Sequence, residues 1–319
     1  MSHLLPILLD ISKVNILIVG GGKVAARKAI ILQQFTNSIK IIGKTINSKI
    51  KDTGLKYIEK KYDHSDLDKI NLVFACTNDP KVNREIKAYC NKKKILINVT
   101  DNPLLSDFYS PALIIYENMT IAVNSKQQNV KKAIKYRNEI KNLFNTKILT
   151  NTDFYTNDSL TKHQSENKMQ KQIFLPLSLN LKNKKILIIG SKKAFQKKVN
   201  ILSRFVKELY VVTNTRIHKT EQKVNIFSYS TYDKSKLDNY FLVYDCTDNK
   251  QFTSTIIKDC QEKNILLNIH DKPNLCDFIS PAIYQNKEII VAVGSNAQNV
   301  KKSIMWRNII KKELNNDKQ

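Results

Sequence analysis

Residues 15–25 read Asn-Ile-Leu-Ile-Val-Gly-Gly-Gly-Lys-Val-Ala, a short apolar run that ends in three consecutive glycines. The apolar run predicts a buried strand, and four apolar residues between positions 24 and 35 follow with the spacing of one helix face. A glycine turn between a strand and a helix is the setting in which Gly20-x-Gly22-x-x-Ala25 has physical meaning. This stretch therefore predicts a strand, a turn and a helix that can hold the phosphates of a nucleotide.

Each small residue of this turn has its own predicted role. Gly20 makes the tight turn, Gly22 lets a pyrophosphate approach the backbone, and Ala25 lets the helix pack closely on the strand. The alternative is a tight turn that needs no ligand. The acidic residue that usually follows about 20 positions later, to hold the ribose hydroxyls, is missing. Lys44 and Thr45 stand there instead, so the choice between NAD and NADP stays open.

Strands and helices alternate outward from the turn. Further strands are predicted at residues 38–43, 71–77 and 95–99. Between the last two, Asn78-Asp79-Pro80 offers a cap and a first-turn proline for another helix. Such alternation predicts an α/β fold, a Rossmann-like doubly wound parallel sheet covered on both faces.

The character of the chain changes after Pro111. Residues 112–116 and 119–124 read as a hairpin, and a tail helix is predicted from Asn129 to about Asn145. This tail is too small to stand alone, so we expect it to pack against a partner copy.

The whole pattern is written twice. A shift of 170 positions aligns residues 1–149 with residues 171–319 without a gap, and 51 of 149 positions are identical. A repeat of this size predicts two copies of one structural unit. The predicted divisions are a Rossmann domain at 1–112, its hairpin and tail helix at 113–149, a polar linker at 150–171, a degenerate Rossmann domain at 172–282 and a second hairpin and tail helix at 283–319.

Copy two departs from copy one at the glycine turn. Gly190 is kept, but Lys192 stands where the backbone must meet phosphate and Phe195 where helix must meet strand. Side chains at both places obstruct close approach. We therefore expect copy two not to bind a dinucleotide.

Composition bounds the class of protein. The 42% apolar and 25% charged residues indicate a globular chain, and its 319 residues favour two domains. The net charge of +25 is compatible with an anionic partner, but only six of the 53 basic residues are arginine, which argues against nucleic acid. The other explanation of the positive net charge is an AT-rich genome, which encodes many surface lysines. No membrane-spanning run or export signal is visible, and five cysteines without a CxxC pair favour the cytoplasm.

Two aspartates and a histidine are the remaining candidates. Asp101 and Asp107 follow the last strand, where parallel sheets bind ligands, and Asp101 could act as a base. The alternative is a turn in which both carboxylates only bond the local backbone. The five histidines are scattered and predict no metal site, and the side chains of His270 and Asp271 should point to opposite faces.

Four motifs together resemble the precorrin-2 dehydrogenase and sirohydrochlorin ferrochelatase family, whose module also begins the siroheme synthases. They read LLPILLD at 4–10, ILIVGGGKVAARKA at 16–29, FACTNDPKVN at 74–83 and NVTDNPLLSDFYSPA at 98–112. The resemblance implies NAD-dependent oxidation of the tetrapyrrole precorrin-2 to sirohydrochlorin, followed by insertion of ferrous iron to give siroheme. It also implies that the hairpin and helix segments mediate dimerisation.

Site residues follow from the same resemblance. Asp101 falls on the family's essential aspartate, and Asn98 and Ser125 fall on substrate-binding positions. The implied cofactor contacts are Gly20, Gly21, Gly22, Lys23, Val24, Ala25, Lys44, Thr45 and Thr77. The family forms intertwined homodimers, so this chain is expected to be an internal pseudo-dimer or a homodimer. A protein that senses NAD or carries a tetrapyrrole without turnover is the alternative function.

Overall fold

The computed structural model describes residues 3–126, 129–150, 173–218, 220 and 223–316. It divides into two compact units, each built from both copies. The sheet unit combines Met1–Tyr109 with Ile173–Ser280, and the hairpin unit combines Ser110–Gln172 with Pro281–Gln319. Most of the predicted linker, residues 151–171, lies outside the described residues.

The described residues of copy one form nine strands and four α-helices. In chain order they are β1 (Leu4–Asp10), β2 (Ile16–Val19), α1 (Lys23–Gln33), β3 (Ile39–Gly43), α2 (Ser48–Lys51), β4 (Lys56–Glu59), β5 (Leu72–Ala75), α3 (Pro80–Lys93), β6 (Leu96–Val99), β7 (Phe108–Tyr109), β8 (Ala112–Tyr116), β9 (Met119–Asn124) and α4 (Val130–Thr150).

Copy two repeats this order in its described part. Its elements are β10 (Phe174–Asn180), β11 (Ile186–Gly190), α5 (Lys192–Leu202), β12 (Glu208–Val212), β13 (Asn225–Tyr229), β14 (Leu242–Cys246), α6 (Lys250–Glu262), β15 (Leu266–Ile269), β16 (Phe278–Ile279), β17 (Ala282–Gln285), β18 (Ile290–Gly294) and α7 (Val300–Asn316).

The sheet unit holds one five-stranded parallel sheet from each copy. Their strand orders are β4-β3-β2-β5-β6 and β13-β12-β11-β14-β15. The central strand β2 is buried along its whole length, as the apolar run at 16–19 requires. Helix α3 begins where predicted, because Asp79 accepts hydrogen bonds from the backbone of Lys81 and Val82 and Pro80 occupies the first turn. The predicted Rossmann-like α/β fold is confirmed.

A third sheet, which no sequence pattern predicted, joins the two copies. Strands β1 and β10 pair antiparallel, and β16 and β7 flank them in the order β16-β1-β10-β7. Ile7 faces Leu177, its own equivalent after the shift of 170 positions. The sheet unit therefore has a pseudo-twofold axis that passes between these two residues.

The hairpin unit repeats this symmetry. Strands β9 and β18 pair antiparallel in a four-stranded sheet of order β17-β18-β9-β8, and Ala122 faces its equivalent Ala292. Helices α4 and α7 contribute to the same core, where the rings of Phe144 and Trp306 stack with centroids 3.6 Å apart. Each hairpin thus buries its apolar face against the other copy. No helix in the described part of the chain is long and apolar enough to cross a membrane.

Candidate cofactor and catalytic site

The glycine turn is packed tightly on one side and open on the other. Gly20 has φ +123°, and a Cβ there would lie 2.4 Å from the carbonyl oxygen of Cys76. A Cβ on Gly21 would lie 1.9 Å from the carbonyl oxygen of Thr45. A Cβ on Gly22, by contrast, would meet nothing within 4 Å. Gly20 and Gly21 are therefore required by the fold itself, whereas Gly22 leaves open space at the start of α1.

That open space lies in front of a helix N-terminus. Helix α1 begins at Lys23, and Gly22 caps it with an extended backbone and no side chain to accept from the first N–H groups. Ala25 is fully buried, and Lys23 and Val24 are exposed. The first-turn N–H groups and the helix dipole therefore favour an anion in front of Gly22.

Lys44 and Thr45 follow β3 and border the same turn. The backbone N–H of Asn47 donates to the carbonyl oxygen of Gly21 at 2.8 Å, which ties this loop to the glycine turn. Both Lys44 and Thr45 are exposed. In other Rossmann-like sheets the residues at this position contact the ribose or the 2′-phosphate of the bound dinucleotide.

Asn83, which no sequence motif singled out, joins Thr77 to Asp101. Asn83 donates from Nδ2 to Asp101 Oδ1 at 2.8 Å and to the Thr77 carbonyl oxygen at 3.1 Å. The Thr77 hydroxyl donates to Asn83 Oδ1 at 2.7 Å. The signal for Asn83 was its place on the buried face of α3 with Ile86 and Cys90, where an amide stands among apolar residues.

Asp107 forms ion pairs rather than the predicted local turn. Its carboxylate accepts from Lys87 Nζ at 2.8 Å and from Lys184 Nζ of copy two at 3.3 Å. The alternative in which Asp107 bonds only the local backbone is wrong, because two lysines distant in sequence converge on it. For Asp101, likewise, the partner is a side chain of α3 and not its own turn.

The two residues implied to bind substrate lie in different units. Asn98 is buried in the sheet unit and donates to the carbonyl oxygen of Phe108 at 2.9 Å. Ser125 is buried in the hairpin unit, where its hydroxyl accepts from the backbone N–H of Asn129 at 3.3 Å. Each side chain is therefore held by its own unit.

Two titratable side chains lie beside this region. Burial lowers the pKa of Lys28, whose ammonium lies 5.4 Å from the centre of the Phe74 ring. Burial also raises the pKa of the Cys76 thiol to about 11, and Asp101 adds to that shift. The thiol therefore stays neutral at physiological pH.

In copy two the corresponding turn has changed. Gly190 keeps its positive φ of 142°, with the carbonyl oxygen of Cys246 2.6 Å from a Cβ built there. Lys192 has φ +65° and its ammonium pairs with Asp248 at 2.9 Å. Phe195 is buried where copy one has Ala25. A lysine paired with a carboxylate thus stands at the position where Gly22 leaves room.

The copy-two counterpart of Asp101 is also arranged differently. Asp271 has φ +56° and is exposed, and its carboxylate lies 3.2 Å from His270 Nε2. The expectation that these two side chains point apart is wrong, because β15 ends at Ile269 and the left-handed turn brings them together. Within the described residues no cluster of histidine, cysteine or acidic side chains could hold a metal.

Comparison with known proteins gives matches to a family model, to curated proteins and to a solved structure. A family model described as "Putative NAD(P)-binding" matches residues 7–112 and 177–282. The siroheme synthase of Buchnera aphidicola is 33% identical over 125 residues, 38% of this chain and 26% of that protein. The siroheme synthase of Blochmanniella floridana is 35% identical over 129 residues, 39% of this chain and 28% of that protein. The chain thus spans about a quarter of the length of these curated relatives.

A solved structure also matches part of the chain. "SirC, precorrin-2 dehydrogenase" is 22% identical and superposes with a TM-score of 0.37, over 42% of this chain and 68% of that chain.

Proposed function

This chain belongs to the NAD(P)-binding family whose model matches both of its copies, and from that premise we propose that it is a precorrin-2 dehydrogenase. Copy one would bind NAD and oxidise precorrin-2 to sirohydrochlorin. The observation that carries the proposal is the pairing, in copy one alone, of an open glycine turn with an aspartate held by a buried amide. The names of the siroheme synthase relatives support a reaction that leads toward siroheme.

The residues of copy one fit the cofactor. The space at Gly22 would take the diphosphate, which the first-turn N–H groups of α1 would bind. Lys44 and Thr45 would contact the ribose, and Thr77 would lie beside the turn, since its backbone nitrogen is 3.1 Å from a Cβ built on Gly20. When bound, NAD supplies a hydride acceptor for the reduced macrocycle.

Asp101 supplies the base. Loss of a hydride from the macrocycle must be accompanied by loss of a proton, and an ionised carboxylate can take it. Asn83 occupies Oδ1 and the side chain is exposed, so Oδ2 is the oxygen that would receive the proton. The same carboxylate would accept pyrrole N–H protons when ferrous iron, here a substrate, is inserted to give siroheme.

The test supplies precorrin-2 and NAD and measures turnover as the increase in NADH absorbance. Asp101→Ala should lower kcat by about 100-fold or more, whereas the matched variant Asp271→Ala in copy two should keep the wild-type rate within about twofold. Turnover that survives Asp101→Ala would remove this residue from the mechanism. Cofactor binding without turnover by the wild type would favour the alternative, a protein that senses NAD or carries a tetrapyrrole.

Iron insertion needs a separate assay. Anaerobic ferrous iron and sirohydrochlorin should give the siroheme absorption spectrum with the wild type and not with Asp101→Ala. Asn98→Ala and Ser125→Ala test the substrate contacts that the resemblance implies, and each should raise the KM for precorrin-2 with NAD affinity unchanged. No siroheme with the wild type would restrict the activity to the dehydrogenase step.

We further propose that one chain is a complete pseudo-dimer in the cytoplasm. The pairings of β1 with β10 and of β9 with β18 join the two copies within one chain. The five free, buried thiols support a reducing compartment. Light scattering should give the 36.8 kDa of one chain, and a stable two-chain particle would contradict this part of the proposal.

A further inference from the structure

Asn83 connects two elements that both reach the proposed site. Its side chain is only 1% exposed, and its amide lies among the Thr77 carbonyl, the Thr77 hydroxyl and the Asp101 carboxylate. The carbonyl and the carboxylate can only accept hydrogen bonds, so the amide nitrogen must face both. The amide oxygen then faces the Thr77 hydroxyl, which donates to it. These contacts fix the orientation of the Asn83 amide.

We propose that Asn83 is a positioning residue that holds the Asp101 carboxylate in the orientation needed for proton removal. The inference rests on the proposed function of Asp101. The Asn83 amide is buried and fixed by Thr77, so it donates to the Asp101 carboxylate in one geometry. Asp101 itself is exposed, so without this contact its side chain would sample several rotamers.

Copy two shows the same position without this function. Thr253 replaces Asn83, and its hydroxyl donates to the fully buried Asp245 at 2.7 Å instead of to Asp271. Asp245 stands where copy one has Ala75, and it also accepts from the hydroxyl of Thr247 at 2.7 Å. At this helix position, copy two therefore has a threonine that bonds the buried carboxylate of Asp245, which copy one lacks. Asp271 is left to its exposed pair with His270.

Cys76, Lys28 and Asp79 are titratable side chains near this pair. Cys76 interacts electrostatically with Asp101, and its thiol, with a pKa of about 11, carries no charge in the range of an activity assay. Lys28 acts on that thiol. Asp79, at the start of α3, is exposed, and its Oδ1 accepts hydrogen bonds from the backbone N–H groups of Lys81 and Val82. A change at Asn83 should therefore be felt mainly by Asp101.

The experiment compares three variants of the full chain in NAD-dependent oxidation of precorrin-2. Asn83→Ala should lower kcat by about 10- to 100-fold, the effect of losing one hydrogen bond to a charged group, with the KM for NAD within about twofold. Asn83→Asp should move the acidic limb of the pH–rate profile upward by about one pH unit or more, because a second carboxylate then faces Asp101. Thr253→Ala is the matched control, which should lose thermal stability but keep rate and pH profile.

A second measurement needs no substrate. The carboxyl resonance of Asp101, assigned with Asp101→Asn and followed by 13C NMR, should titrate at higher pH in Asn83→Asp than in the wild type. If the wild type turns over but neither the pH profile nor this titration moves, Asn83 is only structural and the inference is wrong. If the resonance moves while the wild type shows no turnover, the contact between position 83 and Asp101 is present and the proposed function fails instead.

Discussion

Replacement of Asp107 by asparagine should destabilise the sheet unit strongly. The Asp107 side chain is 8% exposed and its Lys87 partner 13%, so this pair is largely removed from water. Loss of one charge leaves the Lys87 ammonium without its counterion, which costs about 3 to 5 kcal/mol in a buried pair. Lys184 is 35% exposed and can regain water, so its share is below about 1 kcal/mol. We expect a loss of about 3 kcal/mol, because the asparagine oxygen can still accept a hydrogen bond.

The chain contains its own control. Asp277 is the copy-two equivalent of Asp107, but Ile257 and Val14 stand where the two lysines would be. Asp277 accepts from the backbone N–H of Leu267 at 2.8 Å, a bond that asparagine can keep, and burial raises the pKa of its carboxyl. Asp277→Asn should therefore lower stability by less than about 0.5 kcal/mol.

Thermal unfolding followed by calorimetry measures the difference. In a unit of roughly 200 residues, a loss of about 3 kcal/mol lowers Tm by about 6 to 12 °C. Equal Tm values for Asp107→Asn and Asp277→Asn would refute the reasoning, since the ion pairs would then contribute nothing. Combining Asp107→Asn with Lys184→Met should cost little more than Asp107→Asn alone, because both variants break the same contact.

Three further results are expected. Gly22→Val should keep the wild-type Tm within about 2 °C and weaken NAD binding, measured by calorimetric titration, at least about 10-fold. Gly20→Ala should instead lose about 1 to 3 kcal/mol of stability, because Gly20 has a positive φ. Burial of Asp66 alone would raise its pKa, but hydrogen bonds from Lys60, the Asp63 backbone and Lys40 outweigh burial and lower it. The stability from these contacts is therefore present at neutral pH and is lost as the pH falls below about 4. The unfolding midpoints of Asp66→Asn should accordingly decline less steeply than those of the wild type in this acidic range. The five buried thiols should react with a disulfide reagent at pH 8 with less than about one equivalent before unfolding and all five after it.

The local pattern around the glycine turn was sufficient to predict the parallel sheets. Strand β2, helix α1 and the capped start of α3 each depend on neighbours within a few positions, and the structure has all three. Strands β1 and β10 were not predicted, because they are buried on both faces and lack the alternation of a half-buried strand. Pro6 and Pro176 also argue against strands.

The site was less predictable than the fold. The glycines and Asp101 belong to compact motifs, and their placement could be inferred from position along the chain. Asn83 lies 18 positions from Asp101 and Lys184 lies 77 from Asp107, so only the folded chain brings them together. No spacing rule connects such pairs, and a resemblance that names one partner does not name the other.

The pseudo-twofold axis between Ile7 and Leu177 has a consequence for how this protein can change. In an assembly of two identical polypeptides, each substitution appears on both sides of the axis, so the two halves cannot differ in sequence. Here a single gene encodes both halves separately. Lys192 and Asp245 could therefore arise in one half while the other kept Gly22 and Ala75. Duplication within one chain thus allows the halves to evolve apart without loss of their common scaffold.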